Sequence, residues 1–244
     1  GAELVRRAMA DLPAPSAGET FDFWEREAAA LIEEWEAARE PVVEVALPGE
    51  LTATDLVNLR ADPRQFASRQ RRPVPFKPNR YAKRGTAFHE WLEDRFGASA
   101  LLDENQLPGL DEPTLEPGEL EKLQEAFLAS DWADRTPVHV EQPFEVSIGE
   151  AIVRGRMDAV FRDPDNPDGW LIVDWKTGRP PAGADRRAAI IQLAVYREAW
   201  LRILGDPHAP VRAAFHYVSW GETLEPHDLP GREELERLLA DAVV

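Results

Sequence analysis

Apolar residues recur at helical spacing in some stretches and as short continuous runs in others, and the two patterns divide the chain into elements. Between Phe21 and Arg39, the residues Phe23, Trp24, Ala28, Leu31, Ile32 and Trp35 fall on one face of a helix predicted over 20–39. Phe88, Trp91, Leu92 and Phe96 do the same over 85–96, with Gly85 and Thr86 read as an N-cap signal at its start. Leu193, Val195, Ala199 and Trp200 mark a helix over 186–204. Further helices are expected over 52–60, opened by Thr52 or Thr54, and over 62–70, 119–130 and 231–242. Strands are expected near 137–147, 151–161, 170–176 and 211–219, and a Pro- and Gly-rich loop over 97–118. From residue 85 onward the core order is helix, three strands, helix, strand. That order predicts an α/β fold, a mixed sheet flanked by helices, with extra helices on its amino-terminal side.

The run Trp170-Leu-Ile-Val-Asp-Trp-Lys-Thr-Gly178 reads as a buried strand that ends in charge. Side chains two residues apart share a strand face, so Asp174 and Lys176 are presented together while Trp175 points the other way. The preceding strand, Val153-Arg-Gly-Arg-Met-Asp-Ala-Val-Phe161, carries Asp158, and Arg162 to Gly169 is rich in turn formers. A hairpin therefore brings Asp158 beside Asp174. Two close carboxylates repel unless a cation lies between them or one is protonated. A hard ion such as Mg²⁺ suits two Asp, a backbone carbonyl, for which Trp175 is the candidate, and a phosphate. The compact charge of Lys176 suits an attacking water or a phosphate oxygen. Taken alone, an Asp-x-Lys is more often a surface ion pair before a turn, and a lone His89 more often a partly buried structural histidine.

Four motifs in order change that reading: Gly85-Thr-Ala-Phe-His-Glu-Trp-Leu-Glu93, Gly155-Arg-Met-Asp158, Asp174-Trp-Lys-Thr-Gly178 and Gln192-Leu-Ala-Val-Tyr196. Together they resemble the PD-(D/E)xK superfamily of restriction-endonuclease-like nucleases. Within it they are similar to the RecB-like branch found at the carboxyl end of UvrD-like bacterial helicase-nucleases of the AdnAB, AddAB and RecBCD type. The resemblance implies a DNA nuclease with Asp158, Asp174 and Lys176 catalytic, and with His89, Asp158, Asp174 and the Trp175 carbonyl holding one or two Mg²⁺ or Mn²⁺ ions. An imidazole ligand is better suited to Mn²⁺ than to Mg²⁺. It also implies that Gln192 and Tyr196 position DNA or the lysine; by the residues alone, Tyr196 is equally a core aromatic and Gln192 an exposed helix former. Glu93, one turn beyond His89, is either a partner behind the ligands or a solvated side chain, and Glu141 is an orienting residue at best. The chain has no cysteine, so no iron-sulfur cluster of the kind some relatives carry is expected.

With 244 residues, 43% of them hydrophobic, one main domain plus an appendage is the natural count. Residues 51–244 are expected to form the nuclease domain, and 1–50, with twelve acidic and four basic side chains and a linker from Pro41 to Glu50, an acidic helical tether. No run of eighteen apolar residues and no signal peptide is present, so no membrane is expected and a cytoplasmic, nucleoid-associated place is. The net charge of −17 argues against a DNA partner. Its distribution argues back. Arg60, Arg64, Arg69, Arg71, Arg72, Lys77, Arg80, Lys83 and Arg84 stand against one acid, Asp62, just before the His89 helix, and exposed charges are screened over roughly 8–10 Å. Arg80, Lys83 and Arg84 are candidate DNA contacts, and Phe66, Phe76 and Tyr81 candidates for stacking on bases; the alternative is a solvated basic helix and a loop. No Gly-x-x-x-x-Gly-Lys-Ser/Thr loop is present, so the chain has no ATPase of its own. It opens Gly-Ala without Met, which points to a piece of a longer polypeptide. The expectation is a nuclease acting in double-strand-break processing and recombinational repair, fed single-stranded DNA by a helicase motor of the same polypeptide, with a partner subunit. The alternatives are a non-catalytic docking module of the same fold, a stand-alone CRISPR-adaptation-type nuclease, and a metal-independent acidic scaffold.

Overall fold

A computed structural model describes residues 17–37, 45–73, 80–97 and 118–241. The chain divides into two compact units, Gly1–Glu44 and Val45–Val244. In the first, helix α1 (Ala17–Ala37) carries the expected apolar face, and Phe23, Trp24, Leu31, Ile32 and Trp35 on it are exposed. None of the described helices is long and apolar enough to cross a membrane.

The second unit runs β1 (Glu50–Thr52), α2 (Ala53–Ala61), α3 (Pro63–Arg71), α4 (Arg80–Phe96), α5 (Glu119–Leu128), β2 (His139–Ile148), β3 (Ala151–Arg162), β4 (Trp170–Lys176), α6 (Gly183–Leu204), β5 (Val211–Tyr217), β6 (Glu222–Leu224) and α7 (Arg232–Ala240). β3 is the spine of the sheet. Antiparallel β2 pairs along one of its edges, and the other edge is shared by parallel β1, beside Ile152 to Arg154, and antiparallel β4, beside Ala159 to Arg162. β5 then lies parallel to β4, and β6 antiparallel to β5. β4 is covered on both faces, which is why it reads as an unbroken apolar run. On one face Met157, Ile172 and Phe215 pack with Leu56 of α2, Leu193 and Trp200 of α6 and Leu235 of α7. On the other, Ala159, Val173 and Trp175 pack with Phe88 and Leu92 of α4, Phe127 of α5 and Trp132. This is the expected mixed sheet between helices.

Several local expectations change. β1 lies partly in the stretch read as a linker. It is only three residues long, and it exists through its partner: Ile152 N–H donates to Gly49 O at 2.8 Å, and Arg154 bridges Glu50 and Glu145 at 2.8 Å each. Thr52 does open α2, in a capping box with Asp55. α4 begins at Arg80 and runs through Gly85 and Thr86, so these are not its cap. Phe66 is 5% exposed and belongs to the core, where it cannot stack on a base. Phe76 and the side chain of Tyr81 lie outside the described residues. β5 ends at Tyr217 and passes into a 3₁₀ turn, Val218–Trp220.

Gly155 of the Gly-Arg-Met-Asp motif has a steric reason. It pairs with Phe144 on β2, and a Cβ placed on it would lie 2.8 and 2.9 Å from carbons of the Phe144 ring. That ring meets Tyr196 of α6 edge-on at 5.6 Å, so the glycine makes room for the aromatic that props Tyr196. Gly155→Ala is expected to lower stability by roughly 1–3 kcal/mol through overpacking, read as a shift of the urea midpoint; an unchanged midpoint contradicts it.

Candidate active site

The β3–β4 ladder stops at Ala159 opposite Val173, one residue short of bringing Asp158 and Asp174 into register. Beyond it, Trp175 N–H donates to the Asp158 carboxylate at 2.7 Å. Across β3, Glu141 of β2 faces Asp158, between the pairs Val140–Ala159 and Gln142–Met157. Glu141 has φ 47°, the single non-glycine in the left-handed region among the described residues, a conformation that surrounding structure must impose. Both strands change sides here. On β3, Val153 and Met157 share one core with Val160; on β2, Phe144, Val146 and Ile148 face that core, as does His139, whose ring lies 5.2 Å from Trp200. An odd-to-even switch of this kind leaves Glu141 and Asp158 at the crossover. They line an open cleft of about 330 Å³ together with Gly85, Thr86, His89, Glu90 and Glu93.

α4 supplies His89 from the layer beneath. Its Nε2 is 3.2 Å from the Trp175 carbonyl oxygen, and its Nδ1 is 3.5 Å from Asp158 Oδ2 and 3.8 Å from Glu141 Oε1. Ligand atoms of His89, Glu141 and Asp158 all lie within 4.8 Å of one another. α6 supplies the other half from the opposite layer. Tyr196 OH and Gln192 Nε2 donate to Asp174 Oδ1 at 2.9 and 3.1 Å, and Lys176 Nζ donates to Gln192 Oε1 at 3.2 Å. Lys176 Nζ is also 2.7 Å from Asp174 Oδ2. The two form a close, largely buried ion pair. The expected alternation holds: Asp174 and Lys176 face α6, while Trp175 is buried against Phe127 and Trp132.

Acid exceeds base in the cleft, and the proton affinities follow. Burial works against a charged His89, but Asp158, Glu141 and Asp174 outweigh it and raise its pKa to about 9. Burial, then the Asp174 charge, pushes Asp158 up to about 7. Glu93 is raised by burial and by Glu141. Burial alone would lower Lys176, yet Asp174 and Asp158 hold it above the ordinary lysine value. Tyr196 is raised well above the ordinary phenol value, by burial first and then by Asp174.

The donors present fit a hard or borderline divalent ion: an imidazole nitrogen, carboxylates and a backbone carbonyl, with no thiol in the chain. Asp174 is held by Tyr196 and Gln192 on one oxygen and faces the Lys176 ammonium at 2.7 Å with the other. The 3.2 Å between His89 Nε2 and the Trp175 oxygen suits a hydrogen bond from protonated His89. It also suits adjacent ligands of an octahedral ion, roughly 3 Å apart for bonds of roughly 2.1 Å.

Other expected residues are distributed around this pair of half-sites. Glu93 lines the cleft one turn beyond His89. Glu141 reaches to 3.8 Å from His89 Nδ1 and groups with His89 and Asp158. Arg84 Nη2 donates to the Thr177 carbonyl at 2.8 Å, tying α4 to the turn after β4, and Lys83 is half-buried beside it. The side chain of Arg80 lies outside the described residues.

A family model of the PD-(D/E)XK nuclease superfamily matches residues 50–242. No curated protein matches the sequence. Among solved structures, a candidate exonuclease from Eubacterium rectale aligns over 80% of this chain and 77% of that one, at 11% identity and a TM-score of 0.50. The protein SSO0001 aligns over 87% and 85%, at 18% identity and a TM-score of 0.38. The first likeness is one of fold; the second is too loose in shape to add to it.

Without an ion, the site makes stability depend on pH. Asp158 holds its proton more tightly folded than unfolded, so its contribution falls as pH rises from about 4 to about 7. The His89 contribution is full below about 6.5 and is lost as pH rises through about 9. In chelator, Asp158→Asn is therefore expected to be more stable than the wild type at pH 8, by roughly 1–3 kcal/mol, with the gap closing toward pH 4. Urea unfolding at both pH values checks this; a gap that widens on acidification contradicts it.

Proposed function

Since this chain belongs to the PD-(D/E)XK nuclease superfamily, we propose that its cleft hydrolyses DNA phosphodiester bonds with Mg²⁺ or Mn²⁺. The observation that carries this reading is the meeting of all four motifs where the β3–β4 ladder stops, with His89 on the Trp175 carbonyl, Asp158 on the Trp175 N–H, and Gln192 on both Asp174 and Lys176. His89, Asp158, Asp174 and the Trp175 carbonyl would hold the ion, with Glu141 near enough to join them. When bound, a divalent ion supplies the positive charge that polarises a phosphate oxygen and acidifies a water.

The protein's own groups do the rest. Lys176 is a cation at neutral pH, because two carboxylates hold its proton. It can meet an attacking water or the charge growing on a phosphate oxygen, and it is poorly suited to removing a proton. Gln192 accepts from Lys176 and donates to Asp174, which keeps acid and ammonium in fixed relation. Tyr196 anchors the same carboxylate from below and stays protonated there. Coordination of His89 and Asp158 requires both to give up protons, so binding an ion displaces them.

The wider setting rests on the resemblance of the four motifs to the RecB-like branch. In that setting the domain is the nuclease part of a helicase-nuclease in break processing, close to the nucleoid. The first unit, residues 1–44, is then the tether from the motor, and a partner subunit completes the machine.

End-labelled single- and double-stranded DNA, incubated with the protein in Mg²⁺, Mn²⁺ or chelator, is expected to be cut only with metal. Lys176→Ala should lower the rate by about 10²-fold or more while still binding Mn²⁺. Asp158→Ala should lose calorimetric Mn²⁺ binding, and wild-type binding should tighten from pH 6 to pH 9 with release of protons. Cutting in chelator, or full activity of Lys176→Ala, rules the reading out; Mn²⁺ binding without cutting would instead indicate a docking module.

A further inference from the structure

Past Lys176 the surface changes character. β5 runs parallel to β4 with Tyr217 opposite Lys176, and the turn Val218–Trp220 follows directly. Ser219 Oγ donates to the Thr177 carbonyl at 3.4 Å, the same oxygen that takes the Arg84 guanidinium at 2.8 Å. The turn is thus fastened to the residue after Lys176. Trp220 projects from it, 58% exposed, with the Arg179 guanidinium 5.7 Å from its ring centroid.

A single exposed apolar side chain is ordinary on a protein surface and by itself means nothing. Trp220 differs in three respects. It is the only exposed Phe, Tyr or Trp among the described residues of the second unit. It stands three positions past the strand partner of Lys176, and an arginine lies over its ring. The charge around it also differs from that at the His89 end, where Glu90, Glu93, Glu141 and Asp158 line the cleft and would repel a polyanion. Lys176, Arg84 and Arg179 lie on the Trp220 side. A phosphate backbone follows the cations rather than the carboxylates.

We infer that Trp220, backed by Arg179, is a stacking platform for an unpaired nucleobase beside the phosphate that is cut. The substrate at that point is then a single strand, because a base inside a duplex has both faces covered by its neighbours. This rests on the nuclease reading and narrows it.

The test is binding without cutting: fluorescence anisotropy of a labelled oligothymidine with the full 244-residue chain in chelator. Trp220→Ala should weaken binding by about 10-fold, as loss of one base–aromatic stack does, while Trp220→Phe keeps most of it. A strand of the same length with abasic sites should bind wild type as weakly as oligothymidine binds Trp220→Ala, and the variant should not tell the two strands apart. Equal oligothymidine affinity of wild type and Trp220→Ala overturns the platform and leaves the nuclease reading standing. A loss on Trp220→Ala that is just as large with the abasic strand also overturns it. Failure of the wild type to bind either strand also overturns the platform, while the nuclease reading stands or falls on the metal-dependent cutting assay.

Discussion

The Trp175 N–H donates to the side chain of Asp158, at the place where β3 and β4 cease to pair, and the cleft is arranged around that separation. A continued ladder would have closed the space between the strands. Because it stops, the Trp175 carbonyl is free to meet His89 from one helical layer, and the Asp174 carboxylate is free to meet Gln192 and Tyr196 from the other. Trp175 itself stays locked among Phe127, Trp132 and Phe161, and β5 still pairs the strand on its far edge, so the strand end is rigid although its β3 side is open. The chemistry-bearing groups sit on fixed elements, as positioning within fractions of an ångström requires.

Electrostatics then sets the state of the site. Asp158, Asp174, Glu141 and Glu93 outnumber the cations near them, Lys176, a protonated His89 and Arg156, and the excess acid is met by retained protons. Glu141 adds backbone strain, φ 47°, of roughly 1–2 kcal/mol for a non-glycine. Protons and a divalent ion are alternative answers to the same repulsion. Like charges and strain held together in this way cost the fold stability, the usual tension between a stable fold and a working site.

Much of this was legible in the chain. The β3–β4 hairpin declared itself through two apolar runs separated by turn formers, and the i, i+2 and i, i+4 spacings placed Asp174 with Lys176 and Gln192 with Tyr196. What escaped was set by tertiary partners. Nothing in Val-His-Val-Glu-Gln-Pro-Phe announces a left-handed Glu141; the crossover of β2 and β3 imposes it. β1 is too short to carry a period, and it forms only because β3 has a vacant edge there. Phe66 looked available because its helix is otherwise polar, yet a lone apolar residue on such a helix is the one that anchors it. Gly85 and Thr86 resembled a cap, but the basic residues before them continue the helix. Trp220 belongs to no periodic pattern and is visible only once β5 is laid beside β4.

The net charge of −17 ceases to be a paradox when the cleft is taken in two parts. The carboxylates gather at the His89 end, whereas Lys176, Arg84 and Arg179 lie around the turn that follows β4. Everything turns on whether His89 and the carboxylates share one ion. Electron spin-echo spectroscopy of Mn²⁺ added to the protein answers this directly. The expected spectrum carries nitrogen modulation from an imidazole ligand in the wild type and loses it in His89→Gln. Bound Mn²⁺ without nitrogen modulation, or modulation that survives in His89→Gln, would contradict the site.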